Sequence, residues 1–171
     1  MAITKPGPVA RWFLRAPTYL YRARLGWVLG SGVVMITTTG RTTGSARRVV
    51  VEVVRRGRQP ATSALPTLWV VASRGRRSEW HANAVAGGPV RVDWMTRRSP
   101  VTVHALDVQE RYELLADTQR RRPRWVARLG SAVIGEDVTA DSAGLRRLAA
   151  AVRSLRLDPA AEAPTDVGGR Q

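Results

Sequence analysis

Cysteine is absent from this 171-residue chain, and histidine occurs only at positions 81 and 104. The first absence excludes disulfide staples and thiolate chemistry. Together the two leave too few soft ligands for a dedicated zinc or iron site, so no metal is expected. No apolar run approaches the roughly 18–20 residues that a spanning helix requires. Residues 1–15 also lack the apolar stretch and small-residue cleavage site of a signal peptide, so a cytoplasmic protein is expected. Acidic residues are scarce, 13 against 28 basic ones, which gives a net charge of +15. Lysine is scarcer still: Lys5 stands alone and every other basic residue is arginine. With abundant Ala, Val and Gly, that bias is the signature of a GC-rich genome, and part of the excess charge is compositional. A basic surface attracts nucleic acid, anionic lipid or an acidic cofactor, and charge alone does not choose among them. No helix-turn-helix, RNP-type aromatic pair or zinc finger is present, so no specific nucleic-acid partner is expected. The length suits one domain with a real core, and no internal repeat is visible.

What is present is concentrated between Thr37 and Arg48, which reads T-T-T-G-R-T-T-G-S-A-R-R. β-Branched runs lead in (residues 33–38) and out (residues 47–55), so this is the connection of a hairpin. Two glycines, small hydroxyl residues and Arg41, Arg47 and Arg48 can present N–H groups and guanidinium forks together, which suits a phosphate or carboxylate. An ordinary hairpin with solvated arginines fits the same pattern. Residues 56–66 form a polar, Pro-containing loop and residues 68–73 (L-W-V-V-A-S) a third strand. A brief helix over 79–86 is stopped at Gly87-Gly88-Pro89. Residues 90–95 and 101–106 alternate as strands about a turn at Arg97–Pro100. Asp107 and Glu110 make a capping box for a helix to about Arg122, broken by Pro123; a short helical piece carries Trp125, Val126 and Leu129. The stripe Leu145, Leu148, Ala149, Val152, Leu155 predicts a helix over 141–156. Residues 158–171 are too polar and Pro/Gly-rich to pack and are expected to be a disordered tail after a single domain spanning 1–157. Residues 9–29 mix aromatics with arginines, as an interfacial membrane helix does or as a helix covering the open end of a domain does. Short strands closing on themselves, flanked by helices, give an α+β chain built on a mostly antiparallel β-barrel.

Four ordered motifs extend this reading: Gly40-Arg41-x-x-Gly44-x-x-Arg47 after a Thr-rich strand, Leu68–Ser73 ending V-V-A-S, Trp80-x-x-Asn83, and Pro89-Val90-x-Val92. With them, residues 17–106 resemble the deazaflavin-dependent nitroreductase family, which uses coenzyme F420 on a split β-barrel of the FMN-binding type. The resemblance implies that Arg41, Thr42, Thr43, Gly44 and Arg47 hold the coenzyme's phosphate, with Arg48, Arg74, Arg76 and Arg77 along its acidic oligoglutamate tail. It implies that the deazaflavin ring lies against Ala72 and Ser73, bordered by Trp80 and Asn83. It also implies hydride transfer to an electron-poor acceptor such as a quinone, an activated alkene or a nitro compound. The ring supplies the hydride, so no catalytic residue is obligatory; Ser73 and His81 are the candidates for an assisting role.

Several positions depart from the family pattern. Thr42 stands in place of a common lysine, Ala46 in place of a common proline, and Glu79 in place of a small residue before the tryptophan. The alternatives are a non-catalytic carrier of F420 or FMN and a basic nucleic-acid-binding module. A homodimer is plausible for a split barrel, and residues 9–29 are the candidate for peripheral membrane contact. Tyr19, Tyr21 and Tyr112 are candidate pocket residues with packing as the simpler role. Trp94 and Trp125 read as packing residues, His104 as a strand residue without chemistry, and Asp107 with Glu110 as a cap.

Overall fold

The computed structural model describes residues 30–160 apart from 60, 62, 64, 74–76 and 140. The expectations for residues 9–29, including Tyr19 and Tyr21, for Arg74 and Arg76, and for residues 161–171 lie outside the described residues. Six strands close into a barrel: β1 (Val33–Thr39), β2 (Ala46–Arg56), β3 (Leu68–Ala72), β4 (Val90–Trp94), β5 (Arg97–Ala105) and β6 (Arg153–Pro159). Their order around the barrel is β1-β2-β3-β6-β5-β4, and every neighbouring pair is antiparallel. Helix α1 (Glu79–Val85) connects β3 to β4, and α2 (Val108–Arg121), α3 (Pro123–Val133) and α4 (Ser142–Ala151) connect β5 to β6.

The pleat explains the two cores. Val34 faces Val51 and Ile36 faces Val49 across β1 and β2, and these side chains meet Val53, Leu68, Val70, Val92, Leu155 and Leu157 inside the barrel. The alternate residues Val54, Trp69 and Val71 point the other way, where they meet Leu115, Val126, Leu129, Leu145 and Leu148 of the three helices. Burying each such aliphatic side chain contributes about 1.5–3 kcal/mol. The helices begin as their sequences dictate. Asp107 Oδ1 accepts from Glu110 N–H at 2.8 Å while Glu110 Oε2 accepts from Asp107 N–H at 2.8 Å, and Asp141 caps α4 through Gly144 N–H.

Two expectations are corrected. The helix predicted over 141–156 stops at Ala151, and β6 follows at once, closing the barrel between β3 and β5. Val152 to Leu157 satisfies both the helical stripe and a strand's two-residue alternation. The two open strand edges decide between them, because only a strand there satisfies their ladder groups. Asp158 and Pro159, assigned to the tail, are the last residues of β6, and Ala160 N–H still bonds Pro100 O at 3.2 Å. The turn expected at Arg97–Pro100 is instead Met95-Thr96. Trp94 pairs directly with Arg97, and Met95 takes the left-handed φ of 54° that a two-residue hairpin requires. Arg97 through Pro100 are strand residues.

Candidate active site

The β1–β2 connection is a hydrogen-bonded bend at the barrel rim. Gly40 N–H donates to Ser45 O and Gly44 N–H to Gly40 O, both at 2.8 Å. Gly44 adopts φ +66°, which a residue with a side chain reaches only under strain. Gly40 is needed for space: a Cβ there would lie 3.2 Å from both Ser45 O and Thr43 Oγ1. The bend is exposed from Arg41 to Arg48. Thr43 Oγ1 receives Ser45 N–H at 3.4 Å and Arg47 Nη2 at 3.5 Å. The N–H groups of Gly44 and Ser45 are therefore spent inside the bend. Among the described residues, those of Thr42 and Thr43 have no internal acceptor.

Beneath the bend lies a cleft of about 1020 Å³. One wall is the bend and β2, presenting Arg41, Thr42, Thr43, Arg47, Arg48 and Glu52. A second is the end of β3 with α1, presenting Val71, Ser73, Arg77, Glu79, Trp80 and Asn83. The third is α3, whose Trp125, Arg128, Leu129 and Ala132 fall at helical spacings on one face. Helix α1 is docked on the bend: buried Asn83 accepts Arg41 N–H through Oδ1 at 3.4 Å, and Glu79 Oε2 accepts Arg41 Nη2 at 2.8 Å. Helix α3 is docked on β2 by Glu52, which accepts Trp125 Nε1 at 2.6 Å and the Arg122 guanidinium. Arg122 also stacks over the Trp125 ring at 5.5 Å.

The cleft thus gathers Arg41, Thr42, Thr43, Arg47, Ser73, Trp80 and Asn83 of the expected site. Gly44 shapes the bend without lining the cavity, and Ala72 is covered at 1% exposure. Arg48 and Arg77 line the cleft; Arg74 and Arg76 are outside the described residues. His81 lies elsewhere, half-buried and edge-on to Trp80 with ring centroids 6.0 Å apart. Burial and then the charges of Arg153 and Arg111 hold its pKa below the usual value, opposed by a hydrogen bond with the Ser154 backbone. Tyr112 belongs to the helical layer under Arg146, and Trp94 donates its indole N–H to Ser31 O. The α3 wall is the part that the residue-by-residue reading missed. Its available signals were the lone acid in V-V-V-E-V-V and the Trp125–Leu129 stripe. Among the described residues, no group of three or more His, Asp or Glu is placed to hold a metal, and no helix is long and apolar enough to cross a membrane.

A family model for F420H(2)-dependent quinone reductase matches residues 14–130. The chain belongs to this family. No curated protein matches it. Among solved structures, the reductase is similar to an F420-H2 dependent reductase, FDR-A (20% identity, 74% of this chain and 94% of that one, TM-score 0.48). A structure described as a domain-swapped dimer is similar at 18% identity over 84% of this chain and 100% of that one (TM-score 0.47). A third is a Clostridium acetobutylicum protein related to general stress protein 26 of B. subtilis, of the pyridoxinephosphate oxidase family (12% identity, 83% and 84%, TM-score 0.44).

The reductase is therefore an F420-dependent oxidoreductase acting on a small molecule, and its cleft can be tested against that coenzyme. Among the described residues, Arg41, Arg47, Arg48, Arg77 and Arg128 line it against two carboxylates, both engaged by neighbours. Val49, Val51, Val71, Trp125 and Leu129 add an apolar surface. That pairing of a cationic rim with an apolar interior suits a planar ring carrying a phosphate and an acidic tail.

Proposed function

We propose that the cleft under the Gly40–Ser45 bend seats F420 for reduction of a quinone-class acceptor. Arg47, Arg41 and the hydroxyl and N–H groups of Thr42 and Thr43 would hold the phosphate through charge-assisted hydrogen bonds. Arg48 and Arg77 would take the acidic tail. The bound reduced coenzyme supplies the hydride. The chain's share is to bind, orient and exclude water. Trp80 and Asn83 fix the bend-side wall, because Asn83 fastens α1 to the Arg41 backbone. Trp125 and Leu129 present an apolar face to the acceptor, and Glu52 holds that face in place. Ser73, exposed at the end of β3, is a hydroxyl on the cleft wall that can orient a ring or acceptor carbonyl. His81 has no place in this cleft.

The convergence of Arg41, Arg47 and Arg48 with Ser73 on one exposed cleft carries the proposal. Titration of the protein with F420 and FMN in parallel tests it, together with menadione-dependent oxidation of F420H2. Saturable F420 binding and acceptor reduction are expected. Absence of F420 binding at tens of micromolar, a threshold of roughly 6–7 kcal/mol, overturns it. When the acceptor is a lipid quinone, residues 9–29 would touch the membrane surface, and flotation with liposomes before and after deletion of residues 1–16 reads that contact. Sedimentation equilibrium reads the homodimer that a split barrel suggests.

A further inference from the structure

Among the described residues, two acidic side chains line the cleft. Glu52 is committed to Trp125 and Arg122 on the α3 side. Glu79 stands at the cationic end, where it forms a 2.8 Å ion pair with Arg41 although its side chain is 77% exposed. Helix α1 therefore touches Arg41 twice, in two different ways. The Asn83 contact is neutral, reaches the Arg41 backbone N–H and comes from a residue only 8% exposed. That contact can stay in place whatever occupies the cleft. The Glu79 contact is charged, reaches the guanidinium and lies in water. An exposed pair of this kind is weak, and its carboxylate takes a donor that an incoming anion would use.

We infer that Glu79 is a resident competitor for Arg41: it occupies the guanidinium in the free protein and gives it up to the anionic arm of the coenzyme. The inference rests on the seating of F420 proposed above. Glu79 thus sets both the affinity and the salt dependence of coenzyme binding. A ligand without a strong anionic group leaves the Arg41–Glu79 pair closed and gains only the remaining arginines. A polyanion displaces Glu79 and gains Arg41 as well, so the residue discriminates by charge as well as by contact. Asn83 keeps the bend in register during the exchange, which separates positioning from competition within one short helix.

The test is the F420 dissociation constant of wild type, Glu79→Gln, Arg41→Ala, Arg47→Ala and the Arg41→Ala/Glu79→Gln double variant, each at low and high salt. Glu79→Gln keeps the side-chain length and removes the charge. It is expected to tighten F420 about two- to fivefold at low salt, with the gain shrinking as the Debye length falls below about 10 Å above roughly 0.1 M salt. In the Arg41→Ala background the gain is expected to disappear. An equal gain in both backgrounds would mean that Glu79 acts only as a bulk charge, and would overturn the competition. If Glu79→Gln leaves F420 binding unchanged or weakens it while Arg47→Ala still weakens it, the inference falls and the cleft assignment stands. If F420 binds and none of the variants alters its affinity, the coenzyme sits elsewhere and both fall.

Discussion

Arg47 and Arg111 carry the same cation in opposite settings. Arg111 is 5% exposed, and its guanidinium is spent on main-chain carbonyls: Nε donates to Asp107 O at 2.9 Å and Nη1 to Val152 O. Asp107 opens α2 and Val152 ends α4, so Arg111 clips the start of one helix to the junction that feeds β6. Burial first, then the nearby Arg153, lowers its pKa, opposed by Asp107. Arg47 is exposed at the barrel rim and, among the described residues, makes one long contact, 3.5 Å to Thr43 Oγ1. Its fork is open to a ligand. A guanidinium whose donors are filled by backbone holds a fold together; one whose donors face a cavity is available for recognition.

The first way to break this comparison is Arg111→Met. It keeps volume but strands the buried Val152 carbonyl, while Asp107 O loses one donor and keeps the Arg111 N–H, and a loss of about 1–3 kcal/mol in urea unfolding is expected. F420 affinity in the surviving folded fraction should be unchanged. Arg47→Ala should do the reverse. Losing a charge-assisted contact worth about 1.5–3 kcal/mol raises the F420 dissociation constant roughly 10- to 100-fold, while the unfolding midpoint moves by less than about 0.5 kcal/mol. A variant that moves both readouts would dissolve the distinction.

A smaller effect probes the missed wall. Glu52→Gln retains an acceptor for Trp125 Nε1 but gives up the charge on Arg122, so α3 should loosen over β2 at a cost of about 1 kcal/mol. Because Trp125 lines the cleft, the KM for menadione should rise a few-fold with kcat preserved, and the tryptophan emission should shift. A loss of kcat with KM unchanged would mean that the α3 wall serves the reacting geometry rather than acceptor binding.

Much of this was readable from the chain. The bend could be read because glycine, threonine and arginine declare a turn and a donor set locally, and the first five strands because β-branched runs declare themselves. The capping box of α2 was equally local. Strand β6 was not readable, because Val152–Leu157 fits two periods and only the open edges of β3 and β5 choose between them. The α3 wall was hidden for a related reason. Trp125 and Leu129 look like core residues in any helix, and they are buried among helical neighbours. Their second role, as a cavity surface, depends on Glu52, which lies 73 residues from Trp125. Ala72 is a different case: its small side chain suggests close approach by a ring, while the residue is 1% exposed and its neighbour Ser73 is the exposed one.

His81 provides the finest test of where the cleft ends. Its folded-state pKa lies below the ordinary value of 6.5 because burial and then Arg153 and Arg111 disfavour the imidazolium. Above pH 6.5 the ring is neutral in both folded and unfolded chains and contributes nothing to the pH dependence. As the pH falls below 6.5, the unfolded chain takes up a proton that the folded chain resists. Stability therefore declines until the folded pKa is passed, and then levels off. Urea unfolding of wild type between about pH 7.5 and 5 should show this decline, and His81→Gln should remove its share of the slope. The same substitution should leave menadione turnover and F420 affinity unchanged, since the ring sits against the Arg111 side of α1 and not in the cavity. A large drop in turnover with the slope unaltered would place His81 in the reaction as a proton donor, and the two arginine settings would no longer be separate regions.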